Sequence, residues 1–393
     1  MKTSWLLALT LALPLGASAR AASPDVDPSA GRALGSWFTT LHGLEDGSAK
    51  GITRVAWYGD SAIISDGFTS VVRDALQARF GDAGPGFILP SPTFDGYLRD
   101  GVRMKRSGWD AFAVISGDVK AGNYGYGGVV ATSHGGASTT FETKDGEITA
   151  VEIYYQAVPK GGVLQLFIDG ATKSTYTKDT KAGAATDLVW RQVLEQPAKS
   201  LKVRAGGEGV VKVYGVNLEH GTSGVQLDAI GILGMRARRW LNADAAHLKA
   251  QVAARAPGLL VLSFGGNERV DESLSLKGHT DDMTKALRAL RAGAPKAACL
   301  IVGPLAQGEV GGSKIDPNLD TIYDAQRKVA TAEGCAFFDT MGAMGGAKGL
   351  QTWLSKGWIS GDLAHLTNKG HDRLGKLISD WLMGQYDRWA HTN

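Results

Sequence analysis

The residues of this chain best suited to chemistry are a serine, an asparagine and an aspartate–histidine pair, each within a short polar motif. They are Ser61 in Gly-Asp-Ser (59–61), Asn267 in Gly-Gly-Asn-Glu (265–268), and Asp362 with His365 three positions later. A serine hydroxyl becomes a nucleophile when a histidine accepts its proton and a carboxylate orients that histidine. A side-chain amide stabilises the oxyanion that forms when an ester carbonyl is attacked. The pattern predicts a serine esterase.

Each of these residues also has an ordinary structural alternative. Ser61 could cap the helix that follows it, and Asn267 could stabilise its own turn. Asp362 and His365 could cap the last helix at the surface. Asp60 is interpreted as a turn residue rather than as part of the chemistry. No motif is decisive alone, but the structural alternatives would all have to hold together, and this favours the enzyme.

Composition indicates a globular protein with a large core. The chain has 393 residues, of which 44% are hydrophobic and 21% charged, enough for one large domain or two moderate ones. The formal net charge is only +3 and comes from interspersed acids and bases. Nucleic-acid binding is therefore not expected.

The first residues predict export from the cytoplasm. A positively charged start is followed by an apolar run over residues 5–15 and by Ala-Ser-Ala at 17–19, which is typical of a cleaved signal peptide. We expect the signal peptide to occupy residues 1–22 and the protein to be periplasmic or secreted; an uncleaved anchor helix is the alternative. No later segment is apolar enough to cross a bilayer, so an integral membrane protein is not expected.

The two cysteines, Cys299 and Cys335, each begin an apolar run. In an oxidising compartment they could form a disulfide between neighbouring strands, or they could remain two buried thiols. Their spacing fits no zinc or redox motif. His365 and His371 are six positions apart and also match no metal motif, so we expect neither a metal nor another cofactor.

Short apolar strands alternate with amphipathic helices in two separate segments, residues 30–100 and 221–393. The predicted strands cover residues 54–58, 226–232, 258–264, 298–302 and 336–339. The predicted helices cover residues 67–80, 235–254, 281–292, 319–333 and 370–389. This alternation predicts an α/β domain with a parallel sheet covered on both faces. Ser61 and Asn267 each follow a strand, where open α/β sheets bind their ligands.

Residues 101–220 differ from the rest of the chain. They are rich in Gly, Thr, Ser and Val, with period-two runs at 149–155, 163–169, 200–205 and 210–218. This predicts an all-β insertion, either a sandwich or a jelly roll. Several aromatic residues could either stack on sugars or fill its core; they are Trp109, Tyr124, Tyr126 and Trp190.

Taken together, the motifs resemble those of the SGNH hydrolases, also called the GDSL esterases. Gly-Asp-Ser matches the nucleophile block, although Ala62 replaces the usual leucine. Residues 231–234 fit the second block, and Gly-Gly-Asn-Glu matches the third with glutamate in place of aspartate. The Asp362 to His365 segment matches the fifth block. The resemblance implies a three-layer α/β/α flavodoxin-like sheet, interrupted by the β-rich insertion, and adds Gly234 as an oxyanion donor.

Within that family, the chain resembles the periplasmic peptidoglycan O-acetylesterases. The resemblance lies in Asn-Glu in the third block and in the β-rich, carbohydrate-binding-like insertion. It also includes short sequence segments such as residues 79–84 and 334–339. The resemblance implies an esterase that removes O-acetyl groups from a polysaccharide such as peptidoglycan through an acyl-Ser61 intermediate. The implied oxyanion donors are the backbone N–H groups of Ser61 and Gly234 and the Asn267 amide. Two rivals stay open: a polysaccharide O-acetyltransferase with the same triad, and a non-catalytic envelope glycan-binding protein. The sequence leaves the oligomeric state undetermined.

Overall fold

Strands and helices alternate at both ends of the chain, while its middle consists of strands. The computed structural model describes residues 30–309 and 314–392; the predicted signal peptide lies outside the described residues. The helices are α1 (Ala30–Glu45), α2 (Gly67–Phe80), α3 (Ala245–Arg255), α4 (Leu276–Arg291), α5 (Asn318–Glu333), α6 (Thr340–Ala343), α7 (Gly349–Ser355) and α8 (Asn368–Thr392).

The strands fall into one parallel and two antiparallel sheets. They are β1 (Ile52–Gly59), β2 (Gly86–Ile88), β3 (Val102–Ser107), β4 (Asp110–Ala113), β5 (Val129–Ser133), β6 (Ser138–Thr143), β7 (Ile148–Ala157), β8 (Val163–Ile168), β9 (Tyr176–Asp179), β10 (Thr186–Ala198), β11 (Ser200–Gly206), β12 (Val211–Glu219), β13 (Gly224–Gly231), β14 (Leu259–Ser263), β15 (Ala298–Val302) and β16 (Ala336–Phe338).

The parallel sheet has the strand order β13-β1-β14-β15-β16, and each neighbouring pair is parallel. This is the 2-1-3-4-5 order of a flavodoxin-like doubly wound sheet. Along β1, Val55 and Trp57 pack in a core with α1, α2 and α8. Ala56 and Tyr58 face the other way, in a core with α3, α4 and α5. The predicted three-layer α/β/α fold is thereby confirmed.

The two antiparallel sheets make up the β-rich insertion. One has the order β10-β7-β12-β5-β4, with β2 also paired to β12, and the other has the order β3-β6-β11-β8-β9. Side chains of both sheets share one hydrophobic core, as in a sandwich. Because β2 pairs with β12, the chain already contributes a strand to these sheets before residue 101, where the predicted insertion begins.

The aromatic residues proposed for sugar stacking lie mostly in this core. Tyr124 and Tyr126 are 0% exposed and Trp190 is 9% exposed. Trp109 is partly buried, and its Nε1 donates a hydrogen bond to Thr139 Oγ1 at 3.1 Å. The three buried rings fill the core of the insertion and offer no open face to a sugar.

One predicted helix is interrupted in the structure. Instead of a helix over residues 235–254, the chain forms a 3₁₀ turn at Ala237–Asn242 and then α3. The break occurs because Asp244 caps α3: its Oδ1 accepts a hydrogen bond from the backbone N–H of His247 at 2.8 Å. An aspartate in this position starts a new helix more readily than it continues an old one.

A buried arginine fastens the insertion to the parallel sheet. Arg255 on α3 is 0% exposed and binds both carboxylate oxygens of Asp228 on β13, through Nε at 2.8 Å and one terminal nitrogen at 2.9 Å. It also donates to Glu152 on β7 and Asn217 on β12, each at 3.2 Å. Charged groups at this depth are tolerated because each has its partners.

The cysteines form a disulfide, which decides between the two alternatives left open by the sequence. Cys299 lies at the start of β15 and Cys335 directly before β16, with their Cα atoms 4.5 Å apart and a sequence separation of 36. Closing a loop of that length removes conformational entropy from the unfolded chain, which is worth about 4 kcal/mol in the loop-entropy model. We expect reduction to lower the free energy of unfolding by roughly that amount.

Urea unfolding with and without a thiol reductant measures this effect. The double variant Cys299→Ala/Cys335→Ala is the matched control, because its unfolding midpoint should not respond to the reductant. Equal midpoints for the oxidised and reduced wild type would contradict the expected stabilisation.

Candidate active site

The carboxyl ends of three adjacent strands bring the first motifs together. Gly59 at the end of β1 lies opposite Gly231 of β13 on one side and Ser263 of β14 on the other. Ser61 follows β1, Gly234 follows β13 and Asn267 follows β14. This edge of a doubly wound sheet is its usual ligand-binding crevice.

Ser61 opens a 3₁₀ turn, Ser61–Ile63, that is capped by Asp60. Asp60 Oδ1 accepts a hydrogen bond from the Ala62 N–H at 3.0 Å. Helix α2 is preceded by a different residue, Asp66, so Ser61 does not cap that helix. The turn passes close to Gly231, where an added Cβ would lie 2.7 Å from the Ile64 nitrogen. The glycine therefore leaves room for the turn that presents Ser61.

Ser61, His365 and Asp362 form a continuous chain of contacts. Ser61 Oγ lies 3.3 Å from His365 Nε2, and His365 Nδ1 lies 2.6 Å from Asp362 Oδ2. Their spacing matches that of a nucleophile, a base and the carboxylate that orients the base. The side chains of His365 and Asp362 are 54% and 50% exposed, so this arrangement lies open at the surface.

The other oxygen of Asp362 is held by three donors. Its Oδ1 accepts hydrogen bonds from the Ala364 N–H at 2.9 Å and the His365 N–H at 3.0 Å, and from the Ser360 hydroxyl. Partial burial opposes ionisation of the carboxyl, but these bonds and the one to His365 outweigh it and lower the pKa of Asp362 below its usual range. Asp362 is therefore ionised at neutral pH.

The Asp362 to His365 segment is a turn rather than a helix cap. Leu363 has a left-handed backbone with φ of 57°, which is uncommon for a residue other than glycine. The first turn of α8 is capped instead by Thr367, whose hydroxyl accepts a hydrogen bond from the Gly370 N–H at 3.3 Å. The alternative that Asp362 and His365 serve as helix caps is wrong.

The two predicted oxyanion residues are placed differently. Gly234 lies in a turn with φ of +71°, and its N–H donates no hydrogen bond within residues 30–309 and 314–392. The Asn267 amide nitrogen already has two acceptors, the Met235 carbonyl at 3.0 Å and Asp60 Oδ2 at 3.3 Å. The amide thus lies beside the residue that precedes Ser61, held by one bond of ordinary length and one longer bond.

Two buried carboxyls lie next to this arrangement. Asp60 and Glu268 are each 6% exposed. Burial raises the pKa of Asp60 to about 6 and the pKa of Glu268 to about 7, with a further upward contribution from Asp60. Glu268 accepts hydrogen bonds from the N–H groups of Ala237 and Gly265, both at 3.0 Å, and so joins the loops that follow β13 and β14.

We expect Glu268 to give the protein a pH-dependent stability. Since burial raises its pKa from 4.5 to about 7, the folded protein retains a proton that the unfolded chain releases between these values. This contribution to the free energy of unfolding therefore falls as pH rises through that window, by at most about 1.4 kcal/mol per pH unit, and levels off above it.

Urea unfolding of the wild type and of Glu268→Gln, from about pH 5 to about pH 8, measures the contribution. The glutamine variant cannot titrate, so the wild type minus variant difference should decline with rising pH. A difference independent of pH would contradict the raised pKa.

A small cavity lies beside the loop that carries Ser61. It is lined by Asp60 and Ala62, which flank the serine, and by residues that follow β14 and β15. Its volume is about 20 Å³, room for about one water molecule.

Two polar residues of the site escaped the sequence-based prediction. Ser360 is two positions before Asp362 in Ser-Gly-Asp, and its donation to the carboxylate could have been suspected from that spacing. Gln307 lies in a loop after β15 and donates to the Ala364 carbonyl at 3.1 Å. No motif in the sequence indicated it.

No helix among the described residues has the length and apolar character that crossing a membrane requires. Residues 195–373 match the model of the GDSL-like Lipase/Acylhydrolase family. No curated protein sequence matches the chain.

Among solved structures, a peptidoglycan O-acetylesterase is similar with a TM-score of 0.77 and 23% identity, over 92% of this chain and 98% of that one. An acetylxylan esterase from Geobacillus stearothermophilus has a TM-score of 0.31 and 18% identity, over 42% of this chain and 73% of that one. A family two carbohydrate esterase from Cellvibrio japonicus has a TM-score of 0.31 and 11% identity, over 77% of this chain and 98% of that one. The first of these shows that the whole fold, insertion included, has a known counterpart.

Proposed function

We propose that this chain, whose residues 195–373 match the GDSL-like Lipase/Acylhydrolase family model, is a serine esterase that removes O-acetyl groups from a polysaccharide such as peptidoglycan. The observation that carries the proposal is the contact chain from Ser61 Oγ through His365 to Asp362, at 3.3 Å and 2.6 Å. Contacts in this order support the roles of nucleophile, base and orienting carboxylate, which acyl transfer requires.

In the first half-reaction, Ser61 Oγ attacks the acetyl carbonyl carbon while His365 Nε2 accepts the serine proton. The ionised Asp362 holds the His365 Nδ1–H and stabilises the imidazolium as it forms. His365 then protonates the sugar oxygen, the ester bond breaks, and the acetyl group remains on Ser61. In the second half-reaction, His365 activates a water molecule, which attacks the acetyl-serine and releases acetate.

The oxyanion formed in both steps needs hydrogen-bond donors. The Gly234 N–H supports this role because no other described residue uses it, and the Ser61 N–H lies on the nucleophile itself. Asn267 supplies the third donor through the amide hydrogen that faces Asp60, since that bond is the longer of its two, at 3.3 Å. The loss of one such donor typically lowers the rate about 100- to 1000-fold.

Two observations support an acetylated polymer as the substrate. The side chains of His365 and Asp362 are half exposed, and such an open site is accessible to an ester group on an extended polymer. The structural similarity to the peptidoglycan O-acetylesterase extends over 92% of this chain, and so includes the insertion as well as the α/β domain.

Export to the periplasm or the cell exterior completes the proposal. Residues 1–22 carry the pattern of a signal peptide, and the Cys299–Cys335 disulfide suits an oxidising compartment. Fractionation of cells that express the full chain tests this: recovery of the whole pool in the cytoplasm, uncleaved, would contradict export.

Acetate release from O-acetylated peptidoglycan, from de-acetylated peptidoglycan and from p-nitrophenyl acetate tests the activity, with Ser61→Ala as the matched control. We expect release from the acetylated polymer and from the small ester in the wild type, and neither in Ser61→Ala. Equal release by the two proteins would refute the serine esterase.

Two further measurements distinguish an acetyl esterase from an acetyltransferase and from a long-chain esterase. Adding an acetyl-acceptor glycan distinguishes hydrolysis from transfer, because a transferase would acetylate the acceptor faster than it releases acetate. Long-chain p-nitrophenyl esters test the acyl group: a preference for them would overturn the acetyl specificity while leaving the triad intact.

A further inference from the structure

We propose that Gln307 is a positioning residue that holds the turn carrying His365 in register with Ser61, and that Arg269 in turn fixes Gln307. The inference rests on the proposed function, since it assigns a role in presenting the proposed general base. Neither residue contacts the atoms that would react. They act through the backbone of the turn.

Two adjacent residues of the loop after β15 hold two adjacent carbonyls of the turn. Gln307 Nε2 donates to the Ala364 carbonyl at 3.1 Å, and the Gly308 N–H donates to the Leu363 carbonyl at 2.8 Å. Ala364 directly precedes His365. The peptide that leads into His365 is therefore held at its carbonyl by the side chain of Gln307 and at its N–H by Asp362 Oδ1, at 3.0 Å.

The Gln307 amide has a defined orientation because its oxygen is already bound. Arg269 Nε donates to Gln307 Oε1 at 2.9 Å, so the amide nitrogen must face the turn. A terminal nitrogen of Arg269 also donates to the Gly308 carbonyl at 3.1 Å and to Asp316 Oδ2 at 2.8 Å. Arg269, Gln307 and Asp316 are only 7%, 9% and 9% exposed, and hydrogen bonds are stronger in such surroundings than in water.

The same residues reach the loop that follows β14. Arg269 is two positions after Asn267, and the backbone N–H of Arg269 donates to the Gly265 carbonyl at 3.2 Å. A Cβ on Gly266 would lie 3.2 Å from both Asp60 Oδ2 and Gln307 Nε2. Gln307 thus lies between the loop that carries Ser61, the loop that carries Asn267, and the turn that carries His365.

The turn needs this support because it is exposed and has an unfavourable backbone. The left-handed Leu363, with φ of 57°, costs roughly 1–2 kcal/mol relative to an ordinary conformation. If the Leu363 and Ala364 carbonyls lose their hydrogen-bond donors, we expect the backbone of the turn to move toward an unstrained conformation. A displacement of about 1 Å in a reacting group can lower a rate on the order of 100-fold.

Gln307→Glu tests the inference most directly. The substituted side chain keeps its shape and its acceptor for Arg269, but an ionised carboxylate cannot donate to the Ala364 carbonyl. We expect kcat for acetyl ester hydrolysis to fall about 10- to 100-fold, with KM little changed and the thermal unfolding midpoint close to that of the wild type.

The pH dependence of this variant separates positioning from a merely structural role. When the introduced carboxylic acid is protonated, its O–H can again donate to the Ala364 carbonyl. The ratio of variant to wild-type kcat/KM should therefore rise as pH is lowered. A ratio that stays flat with pH would overturn the assignment of the Gln307 donor.

Further variants keep the test decisive if that protein folds poorly. Gln307→Met removes both contacts and should lose at least as much kcat. Arg269→Lys keeps the charge beside Asp316 but loses the Nε bond to Gln307, and should lose activity as well. The matched control is Gln251→Met on α3, because Gln251 is 4% exposed and its Oε1 has no partner among the described residues; its kcat should match the wild type.

Failure of this inference differs from failure of the proposed function. If Gln307→Met and Arg269→Lys both fold and hydrolyse the ester like the wild type while Ser61→Ala is inactive, Gln307 does not position His365 and the esterase stands. If Ser61→Ala is as active as the wild type, the proposed function itself is refuted.

Discussion

His365→Ala should lower kcat for acetyl ester hydrolysis on the order of 10⁴- to 10⁶-fold. The serine proton would have no acceptor, since the proposed base, His365 Nε2, is the group that lies 3.3 Å from Ser61 Oγ. Ser61→Ala should cause a loss of similar size, and the double variant Ser61→Ala/His365→Ala should be scarcely worse than either single variant. Groups that act as one unit are not additive. Steady-state release of p-nitrophenol from the acetate ester measures all three.

The matched control is His134→Ala, because His134 is an exposed histidine of the insertion, remote in sequence from every motif of the site. Its kcat should equal that of the wild type. If the two single losses multiplied in the double variant, Ser61 and His365 would act independently, and the triad would be refuted even though each residue mattered.

Asp362→Asn should lower kcat about 10⁴-fold while leaving the fold intact. The asparagine oxygen can still accept from the Ala364 and His365 N–H groups. Its amide, however, would present hydrogens to His365 Nδ1, which lies 2.6 Å from Asp362 Oδ2 in the wild type. The imidazole would then carry its proton on Nε2, where it cannot accept the serine proton.

Comparison with Ser360→Ala sharpens this prediction. Ser360 supplies one of the donors that lower the pKa of Asp362, so its loss should weaken the carboxylate without changing the histidine tautomer, and kcat should fall far less than in Asp362→Asn. Kinetic measurement over a pH series suits both variants. If the asparagine variant kept the wild-type rate, the orienting role of Asp362 would be refuted.

Local patterns predicted the elements that present Ser61. The helix over 67–80 and the strand over 298–302 match α2 and β15 to the residue, because apolar side chains recur there with helical or buried-strand regularity and the neighbouring residues end the element. The order of the motifs also indicated which strands had to be neighbours. Parallel strands with chemistry at their carboxyl ends leave few other arrangements.

Long-range polar contacts could not be predicted in the same way. Gln307 becomes part of the site through two distant partners. Arg269, 38 positions earlier, donates a hydrogen bond to its amide oxygen, and the Ala364 carbonyl, 57 positions later, accepts a hydrogen bond from its amide nitrogen. Neither partner is marked by a motif or a periodicity. The split of the 235–254 helix at Asp244 is a milder case, in which a local cap overrides an apolar pattern that otherwise continues.

The buried Arg255 makes the α/β domain and the insertion one cooperative unit. Detaching the insertion would strip the arginine of its hydrogen bonds to Glu152 and Asn217 and leave it only the partners on β13, Asp228 and Gln226. Each lost hydrogen bond to a charged group costs about 1.5–3 kcal/mol. Local opening of either part alone is therefore unfavourable, and both should lose their structure in a single transition. A chimaera that exchanged the insertion would have to supply hydrogen-bond acceptors for Arg255 in place of Glu152 and Asn217. Without them, α3 would pack less firmly against β13, the strand that precedes the loop of Gly234.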